Sequence, residues 1–452
     1  MTTRTRRDAR GNPVSTGSAA ALDASERALW RMMSFYGTPL DDLDAAIAAD
    51  PAWLLPGLMK AGFLLSLTEP SLVAEATALL EAAAASRDRG NARERAHLAA
   101  LQRLAAGDWA GAGAAWGEIL QGHPRDALAL QWAHLLAFYR GDAKGLREQA
   151  EAALPSWRDD DALHPYVLAL HAFGLEEEGR YAEAEATGRR ALAGAARVPW
   201  AIHAVAHVME MQGRHEEGAR WMNEWRGHWG AAEGDGSGNA PNGFAGHLGW
   251  HEALFALEGV DTGTALRVFD RYLDAGRVEI ALQRVDAASL LWRLHLLGAD
   301  VGDRWQALVA GWPLDAANAG RSVFNDAHAT MALIGAGESA RARAWVALCI
   351  DGAERGAGWN HAVSRELGAP LLRGLLAFGE GRAGDAAAAI APLRDRLARI
   401  GGSHAQRDVI EQTLIAAAAL GTDRLAGRAL HEARTRAKAA TPLSAWWSRR
   451  LR

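Results

Sequence analysis

Apolar residues recur at three- and four-residue spacing along most of this chain, in runs separated by short polar segments that hold Gly, Pro or Asp. That period belongs to amphipathic helices. The first predicted helix is ERALWRMMSFYG, with Ser25 able to cap it and Gly37 ending it; segments 41–49 and 52–67 form the next pair, with Pro51 at a helix start. Further helices are predicted at 72–86, 92–106, 109–121, 127–140 and 143–153. The pattern resumes at 247–258 with 261–275, 279–297 with 301–311, 320–335 with 338–352, 362–379 with 383–399, and 404–420 with 423–439. Pro392 lies inside one of these runs and predicts a kink or break there. No segment sustains period-two alternation, so the expected class is all-α with essentially no sheet.

Between the two blocks one unit is written twice, as HPYVLALHAFGLEEEGRYAEAEATGRRAL and VPWAIHAVAHVMEMQGRHEEGARWM. Pro165 and Pro199, Ala172 and Ala206, Glu176 and Glu210, Gly179 and Gly213, and Arg180 and Arg214 are each 34 residues apart, as are Gly107 and Gly141. This is the tetratricopeptide period. A helix pair of that length cannot bury its apolar faces alone. The expected fold is therefore a tetratricopeptide-like α-solenoid: stacked antiparallel helix pairs in a strongly curved right-handed superhelix with a concave face. Residues 1–22 read as a disordered arm, rich in Arg, Ser, Thr and Gly, and 23–440 as one continuous repeat domain. The Gly-rich stretch 227–246 is an insertion that serves as a lid or a linker, and 441–452, with two Trp and three Arg, is a capping segment.

The repeat frame gives each side chain a direction. With Gly213 as the turn glycine, His203, His207 and Glu210 fall on the helix face that lines the groove, and Ala206 takes the tight packing position. His207 is thus expected to point into a pocket rather than into the helix–helix core. The preceding copy has Ala169, Phe173 and Glu176 at those positions, so the histidines are particular to this repeat. His247 and His251 repeat the spacing of four beside Trp250; Asp326 and His328 follow in NDAH, and His404, Arg407 and Asp408 in HAQRD. With Gly421 as the last turn glycine, Asp408 also faces the groove. Ionisable residues sent inward by several repeats need partners and argue for a binding site. The candidate catalytic residues are His207, His251 and Asp408. The candidate ligand-binding residues are His203, Glu210, His247, Trp250, Asp326, His328, His404 and Arg407, the last suited to a carboxylate.

Two imidazoles four apart can chelate a divalent transition metal, but HAVAH lacks the glutamate of the zinc-protease motif and HLGWHE carries it after the second histidine. Histidines hydrogen-bonded in a polar wall are the favoured reading. No cofactor is expected, with a divalent transition metal as the lesser alternative.

A net charge of −5 gives no basic face for nucleic acid. No apolar run is long enough for a membrane span or a secretory leader, and the single cysteine, Cys349, excludes an intrachain disulfide and lies at core spacing, so a cytoplasmic protein is expected. Trp, at 18 residues against 5 Tyr and 9 Phe, is assigned mainly to packing, as at Trp109, Trp116, Trp221 and Trp345. Serine-elbow, phosphate-loop, dinucleotide and catalytic-cysteine signatures are lacking.

The segments HAVAHVMEMQGRHEEG, HLGWHEALF, NDAH and GGSHAQRDV resemble the tetratricopeptide repeat protein 38 family, over nearly the whole chain. The resemblance implies a closed, strongly curved helical solenoid and carries over to the histidines, Asp326, Arg407 and Asp408. It supplies no reaction. That family usually has a bulky aromatic where Gly249 stands, so a more open wall near His251 is expected. The leading function is a concave pocket that binds a small molecule or short peptide. The alternative is an enzyme using the same His-rich pocket, either a metal-assisted hydrolase or a metal-free acid–base catalyst; the third is a scaffold for protein partners. The expected partner is a small molecule or peptide, with neither nucleic acid nor membrane, and a homodimer is left open.

Overall fold

Gly107, Gly141, Gly179 and Gly213 all adopt left-handed backbone, at φ of 80°, 65°, 76° and 70°, where a Cβ would clash with the following carbonyl. Each ends the first helix of a pair. The aspartates after the first two cap the second helices, Asp108 accepting from the Gly111 N–H and Asp142 from the Gly145 N–H, both at 2.9 Å. The repeat thus shares a Gly that stops one helix, followed by a capping Asp in two copies and by Arg180 and Arg214 in the duplicated unit. Gly421 departs from it, at φ −83°.

The computed structural model describes residues 6–230, 244–421 and 423–452. Its helices are α1 Ala19–Ser34, α2 Leu40–Ala49, α3 Leu54–Ser66, α4 Val73–Ala85, α5 Ala92–Ala105, α6 Trp109–Gly122, α7 Ala127–Arg140, α8 Ala143–Ala153, α9 His164–Glu177 and α10 Tyr181–Gly194. The duplicated unit continues in α11 Pro199–Met211, α12 His215–Glu224 and α13 Arg226–Trp229. Then come α14 Phe244–Glu258, α15 Thr262–Tyr272, α16 Ala281–Leu296, α17 Arg304–Ala310, α18 Val323–Gly335, α19 Ser339–Arg355 and α20 Trp359–Val363. The chain closes with α21 Ala369–Gly379, α22 Ala383–Ile390, α23 His404–Leu420, α24 Arg424–Ala437 and α25 Pro442–Arg450. The fold is all-α, a succession of antiparallel helix pairs; among the described residues the only bridge is an isolated one, Arg7 with Pro13. None of the described helices is long and apolar enough to cross a membrane.

The chain packs as two compact units, where the sequence predicts one continuous array. The first comprises Met1–Phe138, Asp142–Val205 and Gly227–Phe244; the second comprises Tyr139–Gly141, Ala206–Arg226 and Ala245–Arg452. In the first, α1 packs on α2, α3 on α4, α5 on α6, and α9 on both α8 and α10, with Phe173 and Ala172 fully enclosed beside Leu146 and Ala137. In the second, α16 touches both α18 and α23, and α21 to α25 follow one another in contact. In the C-terminal segment Leu443, Trp447 and Leu451 are buried against Ile415 and Ala416 of α23.

Three expectations change on the structure. From residue 6 onward the N-terminal arm is packed, because its polar groups find partners on the helices and the loop beneath it. Arg10 pairs with Glu26 at 2.6 Å, Thr16 bonds Asp50 at 2.5 Å, and the Ser15 N–H donates to Glu94 at 3.0 Å. The run 362–379 is interrupted by a π-helical turn at Ser364–Gly368, ahead of Pro370, which lacks a donor. Of the four tryptophans assigned to cores, Trp116, Trp221 and Trp345 are buried, while Trp109, first residue of α6, is half-buried. Pro392 acts as predicted, since α22 ends at Ile390 and the next ten residues form a tighter 3₁₀ helix. Most of the 227–246 insertion lies outside the described residues, and its lid or linker reading with it.

Candidate functional site

Five helices of the second unit carry ionisable residues at helical spacing. His207 and Glu210 stand three apart on α11, and His247, His251 and Glu258 stand four and seven apart on α14. Asp286, Ser289 and Arg293 share one stripe of α16, Asp408 and Gln412 one of α23. Arg434 and Lys438 stand four apart where α24 ends, at Ala437 with Lys438 as its cap. Such spacings put each set on one face. The repeat helices therefore gather charge where a purely structural repeat would gather apolar side chains.

These residues form one buried network. Lys438 Nζ lies 2.8 Å from Glu210 Oε1 and 2.6 Å from Glu258 Oε1. Arg434 forks onto Asp408 at 2.6 and 2.8 Å, Gln412 donates to Asp408 at 2.8 Å, and Thr441 donates to Glu258 at 2.5 Å. Arg293 donates to the Ala405 carbonyl at 2.7 Å and lies 5.3 Å from the Trp250 ring centroid. On the histidine side, His251 Nδ1 is 3.3 Å from Glu210 Oε2 and His247 Nδ1 is 2.8 Å from Asp286 Oδ2. The His207 ring centroid lies 4.5 Å from that of His251. Glu210, Glu258, Arg293, Asp408, Gln412 and Lys438 border a cavity of about 10 Å³, room for about one water molecule.

The charges are fixed by their neighbours. Burial alone would raise the Asp408 carboxyl, but Arg434 and Lys438 outweigh it and hold the group well below the usual carboxylate range. Burial would likewise lower Lys438, and Glu210 with Glu258 reverse that. His251 is driven well below its ordinary value, first by burial and then by His207 and His247, so it is neutral at pH 7.

The structure brings together His207, Glu210, His247, Trp250 and His251 and joins Asp408 to them through Arg434, Glu258, Lys438 and Glu210. Asp408 is a permanent counter-ion of Arg434, which does not suit it to proton transfer. His207 is completely enclosed, not displayed on an open groove wall. His203 belongs to the first unit, its ring 4.8 Å from Trp200 and 5.2 Å from Phe173. His328 is buried with Nδ1 2.7 Å from the Phe324 carbonyl oxygen, and burial pushes it down to about 4. Asp326 faces elsewhere: it accepts from the Gly320 N–H and bonds Cys349, and burial raises it to about 7. His404 is exposed, and Arg407 donates to the Gly402 carbonyl and to His404. The expected opening at Gly249 is filled, since a Cβ there would come within 2.7 Å of the Tyr272 ring.

Glu258, Asp286, Arg293, Arg434 and Lys438 were not among the predicted site residues. Asp286 and Arg293 did leave a signal, charges set in the apolar run RVDAASLLWRLHLL. Lys438 and Arg434 left none, because they arrive from the far end of the chain.

No family model matches the chain. It is similar to a solved tetratricopeptide repeat protein from Parabacteroides merdae, at 16% identity over 64% of this chain and 97% of that one, with a TM-score of 0.34. Yeast Tom70 is similar at 11% identity over 96% and 86%, with a TM-score of 0.38. The tetratricopeptide domain of P58(IPK) is similar at 13% over 76% and 84%, with a TM-score of 0.24.

Proposed function

We propose that the second unit is a binding module for a small polar molecule or a short peptide terminus, with the buried network as its site. One observation carries this reading: Glu210, Glu258, Arg293, Asp408 and Lys438 line one small cavity, all but the half-buried Asp408 being buried, with buried Arg434 paired to Asp408 behind it. Burying ions is expensive, and well-packed apolar residues usually do as well or better for stability. A ligand bearing both a carboxylate and donors could exchange for these internal pairs, and the cavity of about 10 Å³ requires that some of them part on its entry. The same burial disfavours a protein-partner scaffold, which needs its polar groove accessible. Likeness to the tetratricopeptide repeat protein 38 family fits the reading without naming a reaction.

A second reading, acid–base catalysis, is favoured by the His251–Glu210 pair, a neutral imidazole with a carboxylate on Nδ1. The test is mass spectrometry of ligands that co-purify with the full chain, followed by thermal-shift titration with the molecule found. Stabilisation of the parent, weakened at least about tenfold in affinity by Gln412→Leu, supports the site. A parent that no co-purifying or screened molecule stabilises, or a ligand indifferent to both Gln412→Leu and Lys438→Gln, overturns it.

A further inference from the structure

We infer that His207, His247 and His251 form a transition-metal site. Their candidate ligand nitrogens all lie within 4.8 Å of one another, while nitrogens around a tetrahedral zinc stand roughly 3.3 Å apart given Zn–N bonds of 2.0–2.1 Å. Small ring rotations close that difference. Two helices deliver the set: His247 and His251 lie four apart on α14, with ring centroids 4.9 Å apart, and His207 reaches His251 from α11.

What separates this trio from packed histidines is the shell behind it. Asp286 Oδ2 sits on Nδ1 of His247 and Glu210 Oε2 on Nδ1 of His251. A carboxylate on Nδ1 takes the ring proton there and leaves the Nε2 lone pair to coordinate, the arrangement that orients imidazoles at zinc and related centres. Lys438 in turn fixes Glu210, and the second oxygen of buried Asp286, Oδ1, has no hydrogen-bond partner among the described residues. Three neutral nitrogen donors suit zinc, cobalt, nickel, copper or ferrous iron, and do not suit magnesium or calcium, which take oxygen. His207 and His251 are fully enclosed, but the His247 side chain keeps 16% exposure, which gives the ion its approach.

The inference does not depend on the ligand reading above, and its test is separate. The full chain, purified without a histidine tag and stripped by chelator, is dialysed against cobalt(II) or zinc(II), then assayed for bound metal, cobalt absorption in the visible and unfolding midpoint. About one equivalent per chain with tetrahedral cobalt bands and a raised midpoint is expected. Affinity should fall about 10–100-fold in Asp286→Asn, which removes a carboxylate behind the site and no ligand. His247→Gln, at the least enclosed of the three, should lose binding while remaining folded by circular dichroism; His295→Gln, an exposed histidine on α16, should bind as the parent does. A folded parent that retains less than about a tenth of an equivalent, or equal uptake by His247→Gln and the parent, overturns the site. Metal uptake without any organic ligand would sink only the small-molecule reading, and the converse only this one.

Discussion

His134, His251 and His328 are held neutral by burial, two of them at about 4 and His251 well below its ordinary value. An unfolded chain protonates such residues near pH 6.5. Between there and pH 4 the unfolded state binds more protons, so these histidines remove stability as the pH falls. Asp326 has the opposite sign. Burial raises it to about 7, so the folded state holds a proton that the unfolded state releases near pH 3.9, and the associated stability is lost as pH rises toward 7. Each titrating group contributes about 1.4 kcal/mol per pH unit inside its window, and three histidines outweigh one aspartate. The unfolding midpoint should therefore drop on going from about pH 7 to pH 4.5, and drop more steeply in Asp326→Asn, which should also be the more stable protein at pH 7. Urea titrations of both proteins across that range check this; a parent that gains stability on acidification contradicts it.

At the scale of elements, the N-terminal arm and α5 act as one piece. Glu94, completely buried, accepts from the Ser15 N–H at 3.0 Å and the Trp53 indole at 2.7 Å, and also closes the capping box with Asn91. Glu94→Ala strands those donors at once. It should cost roughly 2–4 kcal/mol, and proteolysis ahead of Ser18 should accelerate; a loss below about 0.5 kcal/mol would mean the arm adds nothing to the fold. The arm also shows why sequence pattern reached some elements and missed others. Most helices, the turn glycines Gly107, Gly141, Gly179 and Gly213 and the break at Pro392 follow from local rules of period, capping and missing donors, and these were legible. The arm has almost no apolar period, and its order comes from half-buried hydrogen bonds to residues far along the chain, such as Asp50 and Glu94. The site divides in the same way. The repeat frame placed His207 and Glu210 on one face of α11, a local property, whereas the meeting of His251 on α14 with them is a tertiary contact that the frame did not supply. It could not see that Lys438 would pair with Glu210 from 228 positions away.

At the scale of the whole molecule, helix pairs supply two compact units, and the second uses its interior for ions. Because stacked repeats are stable on apolar packing alone, the central claim is that Glu210, Glu258 and Lys438 are kept for binding and not for stability. The direct measurement is the unfolding free energy of a chain carrying Lys438→Met and Glu210→Gln together. In that variant one charge of each sign is removed, Glu258 retains Arg434 and Thr441, Asp408 retains Arg434, and His251 retains an oxygen acceptor. The account predicts a stability equal to the parent's or higher by about 1–4 kcal/mol, as when buried ion sets give way to neutral residues of similar shape. A loss of more than about 3 kcal/mol would show that the ions hold the unit together, and would contradict it.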